Sequence, residues 1–238
     1  MPIPKISVIV PAYNEAKSIG LCLTSLKNQD YRHPYEIIVV DNNSTDSTAA
    51  IAKKFNIRVV SETKAGPGRA RNAGAKVARG QILAFIDADS IAPSDWLDNI
   101  NNAFSSQPDL AALVGIYRFH HKSKYRLIPF LIFPLGEMLN KMITGYFSFG
   151  GANFAIKKKV FTTVGGFDSK FFSFEDMELA RRVSRVGKIG YLHELEVKTS
   201  DRRLRYGINR YLKYGLPIFL SFAFLNKPSK KIFPNIRS

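Results

Sequence analysis

Three short runs of aliphatic residues constrain this chain more than any other feature: ISVIV (Ile6 to Val10), EIIVV (Glu36 to Val40) and ILAFI, starting at Ile82. Each is too short for a helix, lacks polar alternation, and so reads as a strand buried on both faces. Helical stretches follow the first two, from about Ala16 to Asn28 and from about Asp46 to Phe55. A third strand near Ile57 to Val60 leads to a helix through Ala70, Ala73, Gly74 and Val77, spaced i, i+3, i+4, i+7. This βα rhythm implies right-handed connections and a Rossmann-like, mostly parallel central sheet flanked by helices. The second half is less regular, with a strand at Ala112 to Ile116, a turn into a strand at GGANFAI (Gly150 to Ile156), and a helix from Glu175 to Gly187. At 238 residues, 45% hydrophobic and 12% aromatic, the chain suits one sizeable α/β core and excludes disorder.

In such sheets ligands bind beyond the carboxyl ends of the strands, and the run from Ile82 ends there in IDADS, with Asp87 and Asp89 one residue apart. Two carboxylates at that spacing can share Mg2+ or Mn2+, can divide metal and ligand hydroxyl between them, or can cap a helix. AGPGRARNAG puts Arg69 and Arg71 at a helix start, where backbone N–H groups and guanidinium forks can meet a diphosphate; solvent-facing basic residues are the alternative. No Gly-Lys-Ser/Thr ending follows, which excludes a Walker loop. Glu175, Asp176 and Glu178 either complement a helix dipole or carry chemistry. Cys22 shares a helical face with Ile19, Leu23 and Leu26 and reads as a buried thiol.

Formal charge is +16 and concentrates at the C-terminus, where residues 198–238 carry 10 basic side chains against 1 acidic. These charges bracket YGLPIFLSFAFL (Tyr214 to Leu225), about half the ~20 residues needed to span a bilayer. LIPFLIFPLG (Leu127 to Gly136) is equally short and broken by Pro129 and Pro134. Both suit a protein lying on an anionic leaflet, with core helices or an oligomer interface as alternatives. MPIPKISVIVP lacks a cleavable secretory signal, so a cytoplasmic protein, peripheral on the inner membrane face, is expected. No nucleic-acid-binding module accompanies the charge.

PAYNE (Pro11 to Glu15), VDNNSTDST (Val40 to Thr48), IDADS (Ile86 to Ser90) and FEDMEL (Phe174 to Leu179) fall at equivalent strand ends. Together they resemble glycosyltransferase family 2 enzymes of GT-A fold, in that family's order and spacing, from about Ile6 to Arg203. RNAG (Arg71 to Gly74) and GGANFAI…VGGFD extend the likeness. The resemblance implies a GT-A domain over residues 1–205 and a basic, apolar helical extension over 206–238. It also implies metal-dependent, inverting transfer of a sugar from a nucleotide-diphosphate donor to an acceptor hydroxyl or lipid phosphate, on a glycan or lipid-linked acceptor. A noncatalytic sugar-nucleotide sensor or scaffold of the same fold is the alternative.

By the same resemblance Pro11, Tyr13 and Glu15 line the nucleotide pocket, Asp41 accepts from a base N–H, and Arg69, Arg71 and Asp87 contact the donor. Asp89 ligates Mg2+ or Mn2+, His193 is a further candidate ligand, and Gly150 and Gly151 border the acceptor. Arg202 and Arg203 are candidates to close over the diphosphate. Asp176 is the expected general base, with Glu175 as the second choice or an acceptor-positioning group. Ser44 and Asp46 read as helix caps. Asn42 and Asn43 stand where the family usually has a second acid and a glycine. A Gln-x-x-Arg-Trp element is absent, favouring single-sugar addition. His33, His120 and His121 read as loop residues; Phe147, Phe149, Phe171, Phe172 and Phe174 either frame the acceptor or pack as core.

Overall fold

The structure is a computed structural model and describes residues 3–119 and 137–202. Strands β1 (Ile6–Ala12), β2 (Tyr35–Asp41), β3 (Arg58–Ser61), β4 (Ile82–Ile86), β5 (Leu110–Phe119), β6 (Asn153–Lys157) and β7 (Lys188–Thr199) form one sheet in the order β3-β2-β1-β4-β6-β5-β7. The helices are α1 (Ile19–Lys27), α2 (Thr48–Lys54), α3 (Pro67–Val77), α4 (Trp96–Ser106), α5 (residues 137–144), α6 (Lys158–Thr163) and α7 (Glu175–Val183). None is long and apolar enough to cross a membrane. The apolar segment Leu127 to Gly136, the pair His120 and His121, Arg203 and the 206–238 extension lie outside the described residues.

Strands β1 to β4 pair in parallel, β6 runs antiparallel to β4 and β5, and β7 is parallel to β5. The reversal of β6 matters for position. Every other strand ends at one edge of the sheet, whereas β6 begins there, with Asn153 opposite Ile86. Gly150 and Gly151, just ahead of β6, therefore share an edge with the ends of β1, β2, β4 and β7. Chain order also reverses at β1, which has β2 on one side and β4 on the other, so the crevice beyond β1 and β4 is the topological switch point.

Both faces of the sheet are covered, which is why the strands read as unbroken apolar runs. Ile6, Val8 and Val10 pack with Leu23, Leu26, Ala52, Trp96 and Ile100 of α1, α2 and α4. Ile9, Val40, Leu83 and Phe85 meet Ala70, Phe161 and Leu179 of α3, α6 and α7 on the other side. Helix α3 lies so close that a Cβ on Gly74 would sit 2.5 Å from Ile9 Cγ2. Pro11 costs β1 no ladder bond: Ala12 O accepts from Asn42 N at 2.8 Å, so residue 11 faces the β4 side, where pairing has already ended at Ile9.

The mixed α/β sheet is the expected architecture, with adjusted boundaries. Helix α1 starts later than Ala16 because the amides of Ser18 and Ile19 both donate to Glu15 O, making a turn before the helix. Helix α7 stops at Val183, where Val186 and Gly187 amides return to Val183 O. Helix α4 and strand β7 are additions to the expected elements. Phe149 and Phe171 are core residues; Phe149 stacks on Phe154 at 4.6 Å.

Candidate functional site

The loops after β1 and β2 are stitched together by short polar side chains. Asn14, with φ at 51°, donates its amide to Ser44 Oγ at 3.0 Å and accepts from Thr45 N at 2.8 Å through Oδ1. Asp46 accepts from Thr48 N at 2.9 Å and Ala16 N at 3.0 Å, so it caps the α2 entrance and also ties the β1 loop. Thr48 Oγ1 accepts from the Glu15 amide at 2.8 Å. Asp41, ending β2, carries a buried Oδ1 with no hydrogen-bond partner among the described residues, an acceptor suited to an incoming N–H.

Asn42 does more than replace an acid. Its Nδ2 donates to Glu62 O at 2.8 Å and Lys64 O at 2.9 Å, and its Oδ1 accepts from Gly66 N at 2.9 Å. One buried amide thus fixes the loop that delivers α3. Gly66 has φ of 140°, in the region that favours glycine, and the α3 N-terminus it opens has no side-chain cap among the described residues. Half-buried Arg69 lies in this first turn and forms no ion pair among the described residues.

Arg71 points the other way. Its side chain is 4% exposed, with Nη1 donating to Glu175 Oε1 at 2.9 Å and Nη2 to Asp87 Oδ1 at 2.9 Å and Gly151 O at 3.1 Å. The guanidinium also lies 5.6 Å from the centre of the Phe167 ring. It joins the end of β4, the turn before β6 and the start of α7, its charge spent on protein carboxylates instead of facing open space. This changes the expectation of a guanidinium held ready for a diphosphate.

Phe174 adopts φ of 59°, a left-handed conformation costly for an aromatic residue, immediately before Glu175 and Asp176. That kink turns the first acids of α7 inward. Asp176 Oδ2 accepts from Gly151 N at 2.8 Å and Oδ1 from Met177 N at 2.9 Å. Burial first, then the charge of Glu175, push its pKa up to about 7, against the opposing pull of Arg71 and the two amides. Such a carboxylate can take a proton near neutral pH.

Across the crevice Glu15, Asp87 and Asp89 gather above Cys22, whose thiol pKa rises through burial and then through these three charges. Glu15 is 3% exposed and accepts from Ser18 Oγ at 2.7 Å. Arg202, just past β7, donates from Nη2 to Glu15 Oε1 at 2.8 Å and to Asp89 Oδ2 at 3.1 Å, and from Nη1 to Glu15 Oε2 at 3.2 Å. Thr199 Oγ1 reaches Asp89 Oδ1 at 3.4 Å.

His193 lies apart from the contacts that reach Asp89 among the described residues. It is exposed in the irregular part of β7, between Leu192 and Glu196, with its ring 4.8 Å from that of Tyr191; the β7 residue that reaches Asp89 is Thr199, at the far end of the strand. Among the described residues no three His, Cys, Asp or Glu side chains converge on a metal position. Mg2+ and Mn2+ in phosphate chemistry need less, commonly one or two carboxylates plus substrate oxygens and water, and the partly exposed Asp89 carboxylate fits that pattern. Thr199 is a contributor that no motif marked, while Asn14 within PAYNE, Asn42 as a departure from the family pattern and Phe174 as an acceptor-framing or core candidate take structural roles that their motifs did not indicate.

Comparison with known proteins adds to this geometry. A family model described as glycosyl transferase family 2 matches residues 7–165. The glycosyltransferase AglE of Haloferax volcanii is 29% identical over 206 residues, 81% of this chain and 66% of that protein. The poly(ribitol-phosphate) beta-glucosyltransferase of Bacillus spizizenii is 37% identical over 123 residues, 47% of this chain and 19% of that protein. The chain therefore spans from about a fifth to two thirds of the length of these relatives. Among solved structures, the mannosyltransferase PcManGT of Pyrobaculum calidifontis, in complex with GDP-Man and Mn2+, superimposes with a TM-score of 0.75 at 22% identity, covering 96% of this chain and 66% of that one. Glucosyl-3-phosphoglycerate synthase of Mycobacterium tuberculosis, with Mn2+, UDP and glucosyl-3-phosphoglycerate, gives 0.68 at 22% identity over 95% of this chain and 82% of that one. At these identities the structural likeness speaks for the fold.

Proposed function

This chain belongs to glycosyltransferase family 2, and on that premise we propose that it moves a single sugar, with inversion, from a nucleotide-diphosphate donor to an acceptor hydroxyl or lipid phosphate. The carrying observation is Asp176: a carboxylate with its pKa raised to about 7, held by the Gly151 amide at the ligand-binding edge of the sheet. In this reading the acceptor oxygen bonds to the anomeric carbon while the bond from that carbon to the diphosphate oxygen breaks. The diphosphate keeps the electron pair, and where the acceptor is a hydroxyl its proton passes to Asp176. Such a base contributes about 10²–10⁴-fold in rate.

The donor side falls to the remaining residues. Pro11, Tyr13 and the spare acceptor of Asp41 face the base and ribose, Arg69 and the uncapped amides of α3 meet the diphosphate, and Asp87 contacts the sugar. Glu175 holds Arg71, which also binds Asp87 and the Gly151 carbonyl, and Gly150 and Gly151 border the acceptor. Asp89 would hold Mg2+ or Mn2+, which when bound neutralises charge on the departing diphosphate. The ligand class seen in the structural neighbours, GDP-Man in one and UDP in another, supports such a donor.

Contact with an anionic membrane face belongs to the same proposal. Met138, Leu139, Met142 and Ile143 of α5 are exposed, an apolar patch with Lys141 between them, and the chain's net charge of +16 favours anionic lipid. Incubating the protein with a panel of nucleotide sugars, lipid extracts and Mn2+ or Mg2+ tests the whole reading. Donor turnover that disappears in Asp176→Asn is expected; nucleotide binding without turnover on any acceptor would favour the noncatalytic sensor instead.

A further inference from the structure

Asp89, the carboxylate assigned above to a divalent ion, already accepts a hydrogen bond from an arginine of the same chain. We propose that Arg202 is a resident counter-cation: it holds Asp89 while ion and donor are absent, and must release Asp89 before the ion binds there. This rests on the reading of Asp89 as the metal carboxylate.

The geometry separates a pivot from a release point. Two nitrogens of Arg202 grip Glu15, at 2.8 and 3.2 Å, whereas one of them reaches Asp89 at 3.1 Å. The Glu15 carboxylate is 3% exposed, so losing Arg202 would cost a buried carboxylate two hydrogen bonds that water cannot readily replace; the Asp89 side chain is 17% exposed and water can replace the lost bond. Displacement should therefore break the Asp89 bond and keep the Glu15 fork. A divalent ion binds carboxylate oxygen directly at roughly 2.0–2.6 Å, and a guanidinium on the same oxygen both competes for its lone pairs and repels the ion. Arg202 follows β7 after Ser200 and Asp201, and Thr199 at the strand's end also touches Asp89, so the arginine cannot drift far while Glu15 holds it.

One consequence is coupling. A diphosphate offers the Nη2 donor that leaves Asp89 another charge-assisted partner close by, and so makes the carboxylate available. Ion and nucleotide diphosphate should then bind with positive cooperativity, each raising the affinity of the other by the same factor.

Mn2+ binding to the full chain, followed by calorimetry or electron paramagnetic resonance with and without UDP or GDP, provides the test and needs no turnover. Arg202→Met should bind Mn2+ alone at least about fivefold more tightly than the natural chain, and the enhancement of Mn2+ affinity by nucleotide diphosphate should shrink by a similar factor. Arg202→Lys, a point charge unable to fork two carboxylates, should shift the same way by less, and it carries the test if Arg202→Met does not fold. Asp89→Asn should lose Mn2+ binding. Unchanged or weaker Mn2+ binding in the Arg202 variants, with binding lost in Asp89→Asn, overturns the counter-cation role alone. Binding retained in Asp89→Asn overturns the metal reading of Asp89 and this inference with it.

Discussion

The amide of Gly151 donates to Asp176 Oδ2 at 2.8 Å while the carbonyl of the same residue accepts from Arg71 at 3.1 Å, so one glycine orients the proposed base and its neighbouring cation together. A Cβ at this position would lie 2.9 Å from Arg71 Nη2 and 3.2 Å from Asp176 Oδ2. Neither atom can yield easily, because Arg71 is buried and held on three sides. Gly151→Ala should cost about 1–3 kcal/mol of stability and lower kcat on the order of 10²-fold, the scale of a roughly 1 Å misplacement. Urea unfolding and steady-state kinetics measure the two; an unaltered kcat would detach Gly151 from the chemistry.

The raised pKa of Asp176 sets a pH profile. A base must be unprotonated, so kcat/KM should climb about tenfold per pH unit in acid and level off above about 7. The stability sign follows from proton binding: the native carboxyl keeps its proton up to about 7, while an unfolded aspartate loses it near 3.8. Between those values the native state binds more protons, so this group's stabilising contribution is complete below the lower value and is lost as pH rises through the upper. Asp176→Asn removes the titration, should flatten the decline of the urea midpoint with rising pH, and should cut kcat by about 10²–10⁴-fold. A parallel decline in both proteins would place the titrating group elsewhere.

Much of this was readable from residue pattern, for physical reasons. Strands buried on both faces announce themselves as apolar runs, and acids at their ends stand out because a buried sheet has few. Helix α4 carried an equally plain signal in Trp96, Leu97, Ile100, Ala103 and Phe104, which sit on one helical face, whereas β7 was masked by the irregularity between Leu192 and Glu196 that breaks its alternation. Arg71 lies i, i+3 and i+4 from Gly74 and Ala75, on the sheet-facing side, which separates it from Arg69 once spacing outweighs motif. The grip of Arg202 on Glu15 spans 187 positions, and no local pattern encodes it.

Arg71 links two acids that would otherwise repel each other. Its side chain is 4% exposed, and those of Asp87 and Glu175 are 30% and 9% exposed, so solvent screens the pair with Glu175 least. Arg71→Met should destabilise the protein by about 3–5 kcal/mol through uncompensated buried charge. Arg71→Lys should recover only part of this, because one ammonium cannot fork to both carboxylates. Denaturant midpoints read the order: natural chain, lysine variant, methionine variant. A lysine variant as stable as the natural chain would reduce Arg71 to a simple positive charge.

Asn42 is the residue at which this chain departs from the family's usual acid, and its contacts make the departure consequential. The side-chain amide donates twice, to Glu62 O and Lys64 O, and accepts once, from Gly66 N. Asn42→Asp keeps the acceptor but replaces two donated bonds with a carboxylate facing two carbonyl oxygens, at a position only 7% exposed. A buried group left unsatisfied costs about 1–3 kcal/mol, and more when charged. Because Gly66 opens α3, the loss should also loosen the helix start that carries Arg69, raising KM for the donor more than it lowers kcat. The carboxylate's pKa should rise through burial beside carbonyls, so lowering the pH toward about 5 should restore part of the stability as the acid becomes a donor again. Unfolding free energies at two pH values decide it: equal loss at both would mean that charge at residue 42 is not the cause.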